Sequence, residues 1–112
     1  MDNRIKEVTF AEQKLKESYE SLQDGAFEDK ELYKFLTRAK EDLMNDPLCG
    51  IHIPSRLFPH EYVQKYQITN LWKYDLPNGW RLIYTILGNE IKIVSVILEW
   101  MTHKEYERRF KY

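Results

Sequence analysis

The 112-residue sequence predicts an α+β fold in which a two-helix hairpin packs on one face of an antiparallel β-meander that also holds an N-terminal strand. Two observations predict this fold. Apolar residues recur with helical spacing between residues 10 and 45, and three segments after residue 67 are rich in β-branched and aromatic side chains. A chain of this length corresponds to one domain, so we treat residues 1–112 as a single domain.

The first two predicted elements are a strand and a helix. Residues 4–9 alternate polar and apolar side chains, which favours a short strand. Thr9 and Glu12 then have the spacing of a capping box, which would start a helix near residue 10. The pair Asp24-Gly25 would end that helix, so we expect it over about residues 10–23. Its apolar stripe consists of Leu15, Tyr19 and Leu22.

A second helix is predicted over about residues 28–45. Glu28 and Asp29 suit the positive end of its dipole, and Asn45-Asp46-Pro47 ends it. The short connection to the preceding helix predicts an antiparallel hairpin. The stripe expected to face the core consists of Leu32, Leu36, Ala39 and Leu43.

Residues 46–67 show no clear period and hold three of the four prolines. We interpret this segment as a long connection, and connections of this length in small domains are often functional. It contains His52, Arg56, His60 and Lys65, and the alternative is that it only links a helix to the sheet.

Three strands are predicted over residues 68–76, 80–87 and 90–100, separated by Pro77-Asn78-Gly79 and Gly88-Asn89. A three-residue loop at 77–79 would pair Leu76 with Trp80, whereas a two-residue loop would mix aromatic and charged side chains across the sheet. The pattern favours the former. One face would then carry Trp72, Tyr74, Leu76, Trp80, Leu82 and Tyr84, and the opposite face Lys73, Asp75 and Arg81.

A short helix is expected to close the chain. The stretch before it, residues 92–98, is nearly continuous in apolar residues, as expected for a central strand or one covered on both sides. Thr102 can cap the helix, and His103 and Tyr106 would lie one turn apart on it, followed by Arg109.

Composition limits the class of protein. The N-terminus lacks an apolar signal segment and no long uncharged apolar run occurs, so we expect a cytoplasmic protein without a membrane partner. Cys49 is the single cysteine, which excludes an internal disulfide. Residues 1–50 carry 12 acidic against 8 basic side chains, and residues 51–112 carry 6 against 9. An anionic partner should therefore meet the second half.

The order of elements, the run Asn70-Leu71-Trp72-Lys73-Tyr74-Asp75-Leu76-Pro77-Asn78-Gly79-Trp80-Arg81-Leu82-Ile83-Tyr84 and the closing Thr102-His103-Lys104-Glu105-Tyr106-Glu107-Arg108 resemble the RelE/ParE toxin superfamily. The resemblance covers nearly the whole chain in element order, and its sequence match is concentrated in residues 70–108. It implies the toxin of a toxin–antitoxin pair. In the RelE-like and HigB-like branches such toxins are endoribonucleases that cleave messenger RNA on the ribosome, whereas the ParE-like branch inhibits DNA gyrase.

The resemblance also implies site residues. Arg81 matches the strand arginine of the family and suits the charge of a phosphorane. His103 matches the histidine of the closing motif and could transfer a proton near neutral pH, with Tyr106 orienting it or stacking on a base. Lys73 is a candidate for phosphate binding or general base catalysis. Six further residues are candidates for binding RNA: His52, Arg56, His60, Lys104, Arg108 and Arg109.

Two features depart from the family. Asp75 stands where RelE-like members tend to carry a second lysine, and the pI of about 6.3 is low for a ribosome-dependent member. A gyrase inhibitor without catalysis and an inactive antitoxin-binding module therefore remain alternatives. No metal site and no cofactor are expected. A cognate antitoxin is expected on the helices and the sheet, and a basic antitoxin segment would be favoured if the acidic residues of the first half lie there.

Overall fold

The computed structural model describes residues 2–110 and has a five-stranded sheet with helices on both faces, so the α+β class is confirmed. The strands are β1 (Ile5–Phe10), β2 (Ile51–His52), β3 (Trp72–Asp75), β4 (Trp80–Gly88) and β5 (Lys92–Thr102). Within the described residues the α-helices are α1 (Gln13–Ser21), α2 (Phe27–Asn45), α3 (His60–Tyr66) and α4 (His103–Phe110).

The sheet is mixed, which corrects the prediction of an antiparallel meander. Its strand order is β1-β5-β4-β3-β2, in which β2 to β5 are antiparallel neighbours and β1 pairs in parallel with β5. The crossover through α1 and α2 returns the chain to the sheet, which permits a parallel neighbour that a tight turn cannot make. Because β5 lies between β1 and β4, its nearly continuous apolar sequence is explained by a central position.

The predicted register of the β3–β4 hairpin is confirmed. Asn78 and Gly79 have φ values of 60° and 78°, and the amide of Leu76 donates to the carbonyl of Trp80 at 2.8 Å. This left-handed turn needs residues that tolerate positive φ, and Asn-Gly supplies them. The pairs across the hairpin are Trp72 with Tyr84, Lys73 with Ile83, Tyr74 with Leu82 and Asp75 with Arg81.

The two faces of the sheet are covered by different helices. On one face, the predicted stripe of α2 and Tyr19 of α1 pack against Leu82, Tyr84 and Ile97. On the other face, Tyr62 of α3 and Tyr106 of α4 join a second cluster. Burial of these apolar side chains is the main stabilising contribution. The second cluster consists of Ile53, Tyr62, Ile68, Leu71, Ile83, Leu98, Met101, Tyr106 and Phe110.

The predicted start of the first helix is wrong. Thr9 and Phe10 belong to β1, where they pair with Val96 and Ile97, and α1 begins at Gln13. Its N-cap residue, Glu12, makes no side-chain capping hydrogen bond. The strand pairing supplies the backbone of residues 9 and 10 with partners in the sheet, so the capping box that the sequence offers is not used.

The segment 46–67 is more ordered than predicted. It holds β2, α3 and the two 3₁₀ turns Pro47–Cys49 and Ser55–Leu57. β2 has two residues and α3 has seven, which is too short for a hydrophobic period to be recognised. In contrast, β3 is shorter than predicted and begins at Trp72, and Ile68 and Leu71 pack into the second cluster from outside a strand.

The cap of α4 is as predicted. The amide of Glu105 donates to the Thr102 hydroxyl at 3.3 Å, and the amide of Thr102 donates to the Glu105 carboxylate at 2.9 Å. These bonds from Thr102 hold the pKa of Glu105 below its usual range. The capping box therefore fixes the start of α4 at the end of β5. Across residues 2–110, none of the helices combines the length and the apolar character needed to cross a membrane.

Candidate functional site

The centre of the candidate site is Arg81 at the start of β4. Its side chain is 16% exposed and lies on the face of the sheet covered by α3 and α4. Its Nη1 donates to the carbonyl of Trp80 at 3.1 Å. Its Nε lies 3.0 Å from Oδ1 of Asp75 but at an angle that makes no hydrogen bond. The guanidinium therefore keeps a donor that is not used within residues 2–110.

The strand pairing brings His103 to Arg81. Trp80 pairs with Thr102, so the first residue of α4 lies beside the arginine. Nη2 of Arg81 is 3.1 Å from Nδ1 of His103. The imidazole side chain is 53% exposed, so solvent or a ligand can reach it.

The partners of His103 define its tautomer. A guanidinium has no acceptor, so in this contact Nδ1 must accept the hydrogen bond from Arg81. Nε2 contacts the carboxylate of Glu107, one turn further along α4, and the imidazole proton therefore lies on Nε2. The structure leaves the basic lone pair of His103 on the side that faces the guanidinium.

Lys73 and Tyr106 lie in the same cluster. Nζ of Lys73 is 3.3 Å from Oδ1 of Asp75, and its ammonium lies 5.3 Å from the centre of the Tyr106 ring. Tyr106 is buried in the second cluster and stacks on Phe110. Its position therefore supports the ammonium of Lys73 and presents no ring face to solvent.

The cluster is electrically balanced. Asp75 contacts both Lys73 and Arg81, and Glu107 contacts His103. With a neutral imidazole, two cations therefore face two carboxylates, and with a charged imidazole the cluster has one net positive charge. Glu107 was not identified from the sequence. Its spacing of four residues from His103 on a helix is the signal that could have found it.

A second group of predicted residues lies between the start of α3 and the end of α4. Arg56, His60 and Arg109 line a concavity of about 450 Å³, together with Phe58 and Phe110. Arg108 and Arg109 line a neighbouring concavity of about 350 Å³ with Glu61 and Glu105. The structure thus separates these residues from Arg81 and His103.

Carboxylates take up the charge of Arg109. Its Nη1 donates to Oε1 of Glu99 at 2.6 Å, and its Nε lies 3.5 Å from Oε1 of Glu61. The Tyr62 hydroxyl donates to the same oxygen of Glu99, and burial together with that carboxylate raises the pKa of Tyr62. Arg109 therefore serves mainly to join α4 to α3 and β5.

The remaining candidates lie apart. His52 pairs with Trp72, and its ring contacts that indole edge-on, so it lies on the opposite face of the sheet from Arg81. Lys104 is exposed on α4 next to His103. Among residues 2–110, no three His, Cys, Asp or Glu side chains are grouped so that they could hold a metal ion.

Comparisons with models of protein families, with curated proteins and with solved structures give no match for this chain. The fold and the site define an α+β protein with an arginine–histidine pair at the surface of its sheet. What this pair does has to be argued from its chemistry.

Proposed function

We propose that the protein is the toxin of a toxin–antitoxin pair and cleaves messenger RNA on the ribosome without a metal ion. The contact of 3.1 Å between Nη2 of Arg81 and Nδ1 of His103 is the observation that carries the proposal. It joins a permanent cation to a proton acceptor at a point that a phosphodiester can reach. The resemblance of residues 70–108 to RelE-like and HigB-like toxins supports the same reaction.

The reaction needs three roles, and the cluster has a side chain for each. A phosphate oxygen of the RNA takes the place of Nδ1 as the partner of Arg81. The freed lone pair of His103 then removes the proton of the ribose 2′-hydroxyl, and the 2′-oxygen attacks phosphorus. Arg81 stabilises the charge of the phosphorane, and the ammonium of Lys73 donates a proton to the leaving 5′-oxygen. The products are a 2′,3′-cyclic phosphate and a 5′-hydroxyl.

Glu107 has a supporting role in this mechanism. Its carboxylate accepts a hydrogen bond from Nε2–H and so favours the tautomer in which Nδ1 carries the lone pair. After proton transfer it stabilises the imidazolium, as the carboxylate of a catalytic triad does. Asp75 opposes the reaction in part, because it contacts both cations that the phosphate needs.

Mapping RNA ends tests the proposal directly. We expect induction of the protein in bacteria to stop growth and to produce new messenger RNA ends that carry a 5′-hydroxyl. The same ends should form in a reaction of purified ribosomes, messenger RNA and protein. A reaction of the same messenger RNA and protein with EDTA and without ribosomes is the reference. Growth arrest with intact messenger RNA would contradict the proposed nuclease activity but would still agree with a toxin.

One observation favours a second candidate, an inhibitor of DNA gyrase without catalysis. The balanced charge around Arg81 is less suited to a phosphorane than a cluster with excess positive charge. Supercoiling by purified gyrase separates the two functions. The inhibitor would reduce supercoiling and leave messenger RNA uncut. The nuclease would cut messenger RNA and leave supercoiling unchanged.

We expect Asp75→Asn to strengthen RNA binding and to raise the rate of cleavage severalfold. The substitution removes a charge that competes with phosphate for Lys73 and Arg81. One additional phosphate contact should steepen the dependence of log affinity on log salt by about 0.7 for a single-stranded RNA. Filter binding of an RNA oligonucleotide over a range of salt concentrations measures this slope.

Asp24→Asn is the matched control, because it removes the same charge from an exposed position in the turn after α1. It should leave both the slope and the cleavage rate unchanged. Equal behaviour of the two variants would show that RNA does not approach the cations beside Asp75.

A further inference from the structure

The outer side of α2 carries a groove of about 510 Å³ that the proposed reaction does not use. It lies along one edge of the helix, next to the 3₁₀ turn Leu22–Asp24. The buried stripe of α2 faces the sheet, so the groove opens on the side away from it and away from Arg81. Its lining includes Gln23, Lys30, Tyr33, Lys34, Thr37 and Arg38.

The groove is positively charged. Lys30, Lys34 and Arg38 follow one another at intervals of four residues, so their side chains form a row with about 6 Å between neighbours. Within residues 2–110, Lys30 and Lys34 have no ion pair. Arg38 is exposed and pairs with Asp42 at 3.1 Å, and Glu41 is the acidic residue of the lining.

Exposed apolar side chains lie at both ends of this row. Phe27, the first residue of α2, is 72% exposed and precedes Lys30 by one turn. Met44 is exposed one turn beyond Glu41. A large side chain such as Phe27 gains free energy when a partner removes it from water. Phe27 and Met44 therefore add exposed apolar surface at the two ends of the row of cations.

We propose that this groove binds an acidic amphipathic helix of a partner protein. Carboxylates repeated every fourth residue on such a helix would oppose Lys30, Lys34 and Arg38, and its apolar residues would cover Phe27 and Met44. A helix fits better than an RNA strand. Glu41 lies in the lining and Asp42 pairs with Arg38, and both carboxylates repel an RNA backbone, which carries a charge on every nucleotide. A helix with carboxylates placed at intervals can avoid them.

The charge of the groove reverses the expectation from the sequence. The acidic excess of residues 1–50 favoured a basic partner segment, but along this edge of α2 the cations are grouped together.

The position of the groove has a second consequence. An occupant on α2 lies on the opposite side of the sheet from Arg81 and His103, so it leaves that pair uncovered.

The test uses a synthetic helical peptide of about four turns with Glu at every fourth position and Leu on the adjoining stripe. In NMR titrations of the full chain, we expect amide shifts confined to α2 and to residues 22–24. The variant Lys30→Glu/Lys34→Glu should bind the acidic peptide at least about tenfold more weakly than the wild type. It should instead bind a basic version of the peptide, in which Lys replaces each Glu. Lys14→Glu/Lys16→Glu, which reverses two exposed charges on α1, should bind the acidic peptide as the wild type does.

Three outcomes would overturn the inference: no shifts on α2, equal weakening by the two double variants, or displacement of the peptide by an RNA oligonucleotide that binds the same groove. The inference does not rest on the proposed nuclease. Arg81→Ala should bind the peptide like the wild type, and Lys30→Glu/Lys34→Glu should cleave RNA like the wild type. Failure of one proposal therefore leaves the other standing.

Discussion

Replacement of Arg81 by alanine should lower the rate of messenger RNA cleavage by about 10²–10³-fold. In the proposed mechanism the guanidinium stabilises the phosphorane, and removal of one such donor typically lowers a rate by this amount. Arg81→Lys should lose less, because it keeps the charge but loses the planar fork that can meet a phosphate at two points. The measurement is the initial rate of RNA cleavage with purified ribosomes at saturating protein.

Two comparisons separate a loss of chemistry from a loss of folding. Arg81 is mostly buried beside Asp75, so thermal unfolding of each variant has to be recorded alongside its activity. Arg4→Ala removes an arginine that pairs with Asp2 at the edge of β1, and it should leave the rate unchanged. A folded Arg81→Ala variant that retains full cleavage would remove Arg81 from the mechanism.

The face carrying Arg81 was predictable because it follows from local rules. The turn residues Asn78 and Gly79 set the loop length, and the alternation of side chains along a strand then determines which residues share a face. The same argument placed Asp75 beside Arg81. The contact with His103 depends on the pairing of Trp80 with Thr102 at the far end of a second hairpin.

The exact register of that second pairing could not be predicted from the sequence. β5 contains a bulge, where Ile83 pairs with Glu99 and Tyr84 with Ile97, so that Leu98 is the extra residue. Without this bulge the register would differ by one residue, and the start of α4 would be displaced relative to Arg81. No local signal in residues 96–99 distinguishes a bulged strand from a regular one.

The segment 46–67 was missed for a different reason. Its order comes from contacts with distant residues: Ile53 and Tyr62 pack in the second cluster, and Tyr84 accepts a hydrogen bond from the amide of Gly50. Such contacts form only in the folded chain. Neither the hydrophobic period of the segment nor the secondary-structure propensities of its residues can therefore predict them. Glu61 in the first turn of α3 and the spacing of Tyr62 and Tyr66 were the weak local indications of a helix.

Leu82→Ala should lower the free energy of unfolding by about 2–5 kcal/mol, which is a large part of the stability of a domain of this size. Leu82 is 0% exposed and packs between the sheet and α2, so its loss removes apolar contacts and leaves a cavity. Urea denaturation followed by circular dichroism measures the change. Leu87→Ala is the matched control on the same strand, because Leu87 is 57% exposed and its truncation should change stability by less than about 1 kcal/mol.

The same variant also tests the separation of the two faces. Leu82 follows Arg81 in the chain, but its side chain points to the helices α1 and α2, whereas Arg81 lies on the face with α4. Well below its melting temperature, Leu82→Ala should therefore keep the rate of RNA cleavage within a factor of about three of the wild type, a change under 1 kcal/mol in the barrier. A rate that falls together with stability would mean that the contact between Arg81 and His103 depends on packing across the sheet.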